Sequence, residues 1–227
     1  MPAGRARRRG DGLIAAAIPC HHCCMSEAEI RRVLDFWFTG CENDRPKIDA
    51  RMDRWFGDDP ALDEEIREQF GDLVARASAG ELDDWAETAR GRLALIILLD
   101  QFRRNIYRGR AEAYACDRQA LKLCVEGTLA RHYRQLSPEE QLFFFMPLQH
   151  AESRKVQAKA VSVYQALANS VSETLRETFL TAAQFAELHR DIIEEFGRFP
   201  HRNAVLGRPN TPEEEAYLAA DAPSFGQ

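Results

Sequence analysis

The chain has 227 residues, 45% hydrophobic and 29% charged, a composition that fits one folded domain and excludes wholesale disorder. Its net charge of −6 hides a split: residues 1–24 carry Arg5, Arg7, Arg8 and Arg9 against Asp11, a net +3, leaving −9 for residues 25–227. An acidic body lacks the basic face that displaces counterions, so nucleic acid is excluded as a general partner.

Residues 1–24 open on the arginines, continue through the short apolar run Leu13–Ile18, and close on Pro19 and a Cys/His cluster. A signal peptide needs an apolar core of about 7–15 residues, and this run falls short of it. A targeting leader suits the arginines better, though serine is sparse. The plainer expectation is an upstream extension, disordered and outside the fold, with 25–227 as a single all-helical domain. Cys20, His21, His22, Cys23 and Cys24 are zinc-ligand types, but five adjacent residues cannot all wrap one tetrahedral ion, and no second pair follows at finger spacing. No metal and no cofactor is expected. Six cysteines make no disulfide framework, which points to a reducing, cytoplasmic setting.

The body reads as helices in chain order. Ser26–Glu29, Ser137–Glu140 and Thr211–Glu214 each place a hydroxyl three residues before a Glu, the spacing at which both orphan N–H groups of a helix start are satisfied. Pro138 and Pro212 occupy first helical positions, where a missing N–H costs nothing. Helices are predicted near 26–38, 47–56, 60–78, 89–107, 112–132, 138–147, 150–169, 172–197 and 211–220, with Gly80, Gly109 and Gly197 as stops. No segment shows strand alternation. The apolar run Leu93–Leu99 spans seven residues where a membrane span needs about 20, so it is a buried helix and no membrane partner is expected. Short connections make successive helices antiparallel neighbours.

Four places break the apolar pattern with costly polar residues. The central helix turns abruptly from Leu99 into Asp100, Gln101, Arg103, Arg104 and Asn105, with Arg92 at its other end. Asp100, Arg103, Arg104 and Tyr107 share a face, and amides such as Gln101 and Asn105 are expensive if merely buried. His150 and Glu152 follow Pro147 at an expected helix entrance. His189 is the polar member of the stripe Ala182, Phe185, His189, Ile192, Phe196. Arg198, His201, Arg202 and Asn203 crowd one loop around Phe199-Pro200, where guanidinium forks suit a carboxylate or phosphate. Each place also has a plain structural reading, as helix ends, caps or satisfied core groups. With 26 Arg against 4 Lys, no arginine stands out by identity alone.

The segments Val33–Phe38, Arg54–Phe56, Gly91–Asn105, Met146–Glu152, His189-Arg190, Gly197–Asn203 and Thr211–Glu214 together resemble the bacterial domain-of-unknown-function 924 family. The resemblance starts near Met25 and runs to about residue 220. It implies a tetratricopeptide-like array of antiparallel helical hairpins, although no 34-residue repeat is visible, and it implies no chemistry.

Three functions compete. A binding module would hold an anionic small molecule or peptide in the Arg/His/Asn cluster; for a peptide, an open groove lined by Arg103, Arg104, Arg198 and Arg202 is expected. A hydrolase-type enzyme would need a closed pocket with a His–carboxylate pair within hydrogen-bond reach. No Gly-x-Ser-x-Gly elbow or His-Glu-x-x-His pair names its catalytic residues. A purely structural protein would leave every Arg and His paired and no cavity.

Overall fold

The structure, a computed structural model, describes residues 21–40 and 45–220; of the extension expected at 1–24, residues 1–20 lie outside the described residues. Helix α1 (His21–Phe38) starts five residues before the expected cap at Ser26. No Gly or Pro stands between His21 and Met25 to break it, so the capping-box spacing at Ser26 lies inside a continuous helix. Its inward face presents Val33, Leu34, Trp37 and Phe38. Helix α2 (Arg45–Phe56) turns back, and Arg51 Nη1 donates to the carbonyls of Phe36 and Trp37, both at 3.3 Å, closing the otherwise orphaned end of α1. Helix α3 (Pro60–Ser78) is capped by the Asp59 carboxylate, which accepts from Ala61 N at 2.9 Å.

The central helix departs from the uninterrupted 89–107 expected of it. It runs as α4 (Ala89–Ile96), a π-helical segment (Ile97–Phe102) and α5 (Arg103–Ile106). All residues from Gly91 to Ile106 are buried, because α1, α3, α6 and α7 pack around it. Gly91 makes room for the 3₁₀ turn just before α4 (Asp83–Glu87): a Cβ there would sit 2.2 Å from the carbonyl oxygen of Trp85.

The segment expected as one helix at 112–132 divides into a 3₁₀ turn (Ala111–Tyr114), α6 (Asp117–Leu129) and a second 3₁₀ turn (His132–Gln135). Helix α7 (Pro138–Gln149) starts at a complete capping box between Ser137 and Glu140. It does not stop at Pro147 but carries it inside, ending two residues later. Helix α8 (Arg154–Ser170) therefore starts at 154 and not 150, and His150 closes α7 instead of opening α8. The bend between them is held by Gln157, whose amide donates to the carbonyls of Gln149 and Ala151 at 2.6 and 2.8 Å. Helices α8 and α9 (Glu173–Phe196) form the most extensive hairpin. Gly197, at φ +73°, ends α9 in the left-handed conformation that favours glycine. A 3₁₀ turn (Pro200–Arg202) leads to α10 (Pro212–Ala219), which opens on the Thr211–Glu214 capping box.

Among the described residues no strand occurs, and the fold is all-α. The core is mostly one contiguous cluster in which Trp37, Trp55, Phe102 and Phe143 meet edge to face at centroid separations of 4.8–5.6 Å. No described helix is long and apolar enough to cross a membrane.

Candidate functional site

Four separate elements bring ionisable side chains to one end of the central helix. The π-helical segment contributes Asp100, α5 contributes Arg104, the end of α7 contributes His150, and the Pro200–Arg202 turn contributes Arg202. Asp100 is completely buried. It survives there because donors surround it: Arg104 Nη1 at 3.1 Å, Gln101 Nε2 at 2.6 Å, and His150 Nδ1 at 2.8 and 3.0 Å from its two oxygens. Burial opposes its charge, but Arg104 and His150 outweigh that and hold the carboxyl well below the usual range, so Asp100 is ionised.

An ionised carboxylate only accepts, so the His150 nitrogen facing it carries the proton. That assigns the Nδ1–H tautomer and leaves Nε2 with a lone pair, which no described residue engages. Burial, followed by the nearby Arg104 charge, lowers the pKa of His150, with Asp100 pulling the other way. The imidazole is neutral at pH 7.

Arg104 bridges to a second carboxylate. Its Nη2 donates to both oxygens of Asp117 at 3.0 and 3.1 Å, while its Nη1 also reaches the Asp100 carbonyl at 2.6 Å. Arg202 Nη1 shares Asp117 at 3.1 Å and takes the His150 carbonyl at 3.1 Å. The Arg202 guanidinium lies between the rings of Tyr114 and Phe199, 4.6 and 4.4 Å from their centroids. Beside this chain opens a cleft of about 390 Å³, whose walls include Tyr114, Asp117, Arg118, His150, Glu152 and Arg202. That volume falls in the range of small-molecule sites, about 300–1,000 Å³.

Of the residues singled out from sequence, Asp100, Gln101, Arg104, His150, Glu152 and Arg202 stand at or directly behind this cleft. Glu152 is partnered by Arg208 (2.7 and 3.0 Å) and by the Phe199 N–H (2.8 Å). His189 is buried behind the cleft, and His201 is half-buried beside it. His189 Nδ1 donates to the Phe185 carbonyl at 2.7 Å, and its ring lies 6.2 Å from His150 and 5.6 Å from Phe199. The His201 ring lies 5.5 Å from Phe199 on another side. Burial above all, then neighbouring positive or titratable groups, lowers the pKa of His189 and of His201 to about 3.

The remaining five lie elsewhere. Arg92 braces the far end of the central helix through the carbonyls of Leu123 and Ala86. Arg103 is held by Ser78 and the Glu112 carbonyl, and Asn105 by Asp63. Arg198 forms a two-pronged pair with Glu214 at 2.6 and 2.7 Å, and Asn203 bonds Asn210 and Glu214, so both tie the loop to α10. Tyr114, Asp117 and Arg118 line the cleft, and Arg208 braces Glu152 at its edge; none of the four was singled out. The faint signal was Tyr114, Asp117 and Arg118 at spacings of three and four across the start of α6.

A larger groove of about 720 Å³ beside α1 and α2 is lined by Arg31, Arg32, Arg51 and Arg54. Its arginines are committed: Arg31 to Glu27, Arg32 to the Gln69 carbonyl, Arg51 to the end of α1, and Arg54 to Glu65. Chemistry therefore ranks the smaller cleft first. Among the described residues no group of three or more His, Cys, Asp or Glu side chains could hold a metal ion.

The molecule is thus an all-helical protein with a compact cleft backed by a buried Asp–His pair. The chain belongs to the family described as bacterial protein of unknown function, DUF924, which matches residues 33–222. It is similar to the solved structure of the protein of unknown function ATU0120 from Agrobacterium tumefaciens. The two share 37% identity and a TM-score of 0.73 over 86% of this chain and 99% of that one. No curated protein matches the chain.

Proposed function

We propose that the cleft is an acid–base active site in which His150 moves a proton in a hydrolase-type reaction on a small anionic substrate. One observation carries the reading: buried, ionised Asp100 grips His150 through Nδ1, which leaves a basic Nε2 on an imidazole that lines the cleft. A neutral imidazole at pH 7 is ready to accept a proton from water, and a carboxylate behind it stabilises the imidazolium that results. The lowered pKa of His150 extends that readiness below neutrality.

A peptide groove has less support, because Arg103, Arg104 and Arg198 are each spent on partners within the chain. The helical array fits a tetratricopeptide-like arrangement through the successive packing of α6 on α7, α7 on α8 and α8 on α9. A cytoplasmic setting is part of the same reading, supported by the free, buried thiols of Cys116 and Cys124.

Two measurements test it. Diethyl pyrocarbonate attacks accessible neutral imidazole, so His150 should be modified well ahead of buried His189, as mapped by mass spectrometry. A panel of short-chain esters and phosphate monoesters should reveal turnover that rises with pH through one ionisation below the usual imidazole value of about 6.5 and vanishes in His150→Gln. Turnover unaffected by that substitution, or modification that spares His150, would sink the proposal.

A further inference from the structure

Two arginines at the cleft keep donors in reserve. Arg202 spends Nη1 on Asp117 and the His150 carbonyl. Its Nε is buried and has no hydrogen-bond partner, in a residue only 5% exposed, and Nη2 bonds no described residue either. A buried N–H without an acceptor is destabilising, and an acceptor that reaches it removes the cost. Nε and Nη2 are not scattered donors: they form one edge of the guanidinium, the edge that grips a carboxylate or phosphate with two parallel bonds. The Tyr114 and Phe199 rings fix the plane of that fork.

Arg118 is the second. It lines the same cleft, is exposed, and forms no ion pair with any described residue. It stands in the first turn of α6, where the helix dipole disfavours a cation, so helix stability does not account for it. The charges around it otherwise cancel: Arg104, Arg202 and Arg208 face Asp100, Asp117 and Glu152. With His150 neutral, Arg118 is the surplus positive charge in a chain that is acidic as a whole.

We infer that the cleft binds its ligand through one oxyanion group, a carboxylate or a phosphate, held between Arg118 and the Nε–Nη2 edge of Arg202. Leu121, Leu206, Ala111 and Ala115 also line the cleft, so the rest of the ligand has an apolar body. The substrate class is a small amphiphilic carboxylate or phosphate ester. This deepens the acid–base reading of His150 by naming what the site takes, while the binding itself does not need His150.

The test is calorimetric titration of the full chain with acetate, hexanoate and inorganic phosphate. Hexanoate or phosphate should bind once per chain. Arg118→Ala should weaken that binding at least tenfold and Arg118→Glu should abolish it, both at unchanged circular dichroism, whereas His150→Gln should stay within about threefold of the parent. Hexanoate well above acetate and phosphate identifies the carboxylate; phosphate ahead of both identifies the phosphate ester. Absence of binding by all three at millimolar concentration overturns the inference, as does binding that Arg118→Ala leaves intact. Arg118-dependent binding in a protein whose turnover ignores His150 would remove the acid–base reading alone. His150-dependent turnover without Arg118-dependent binding would remove the anion site alone.

Discussion

Acid should weaken this fold through the histidines packed behind the cleft. His189 is 6% exposed, and burial, reinforced by His150 and Arg202 and opposed by the Phe185 carbonyl, lowers its pKa to about 3. In the unfolded chain it titrates near 6.5. Because the folded value is the lower one, the unfolded state takes up the proton first as pH falls. Stability is therefore full above about pH 7 and declines from about 6.5 downward. Between pH 7 and pH 5 the linkage amounts to about 2 kcal/mol for His189, and to a similar amount for His201, also lowered to about 3. Glu214, held near 2 by Arg198, and Asp100, held down by Arg104 and His150 against its burial, add little in this window because both are ionised there. Urea unfolding followed by the fluorescence of buried Trp37, Trp55 and Trp85 should report a loss of about 4 kcal/mol from pH 7 to pH 5. In His189→Gln, which keeps an amide to donate to the Phe185 carbonyl, the loss should shrink by about 2 kcal/mol whatever its starting stability. An equal loss in parent and variant would refute the reasoning.

Asp100→Asn should destabilise the protein by about 3–5 kcal/mol in the same assay at pH 7, because it leaves Arg104 and a ring of donors facing an amide; a loss below about 1 kcal/mol would show that the carboxylate is not the hub. Gly91→Ala should cost about 1–3 kcal/mol even though alanine favours helices, since its methyl would press on the fixed Trp85 carbonyl; a variant as stable as the parent would mean that α4 can shift.

How much of this was legible varies with the physics. Local signals carried far: the capping boxes at Ser137 and Thr211 and the stops at Gly80, Gly109 and Gly197 stand where spacing put them. Local signals also misled. Pro147 reads as a terminator, yet packing keeps α7 helical to Gln149, which moves His150 from a helix start to a helix end. The π-helical widening at Ile97–Phe102 has no sequence mark: no Gly or Pro interrupts the run. For the cleft, Asp100, Arg104, His150 and Arg202 drew notice as polar residues too expensive to ignore. Asp117 did not, because an acid in a first helical turn already has an ordinary explanation in the dipole. Helical periodicity cannot say whether a polar face meets a cleft or a neighbour's carbonyls. That is why Arg92, Arg103 and Asn105, fully satisfied elsewhere, looked much like the residues at the cleft.

The contacts that close the cleft join residues far apart along the chain: Arg202 meets Asp117 across 85 positions and Arg208 meets Glu152 across 56. During synthesis the long helices are all made before either arginine exists. The wall of the cleft is thus completed only when the turn after α9 packs back against α6 and the end of α7. A chain stopped short of residue 200 would carry most of its core and lack both contacts that close the cleft.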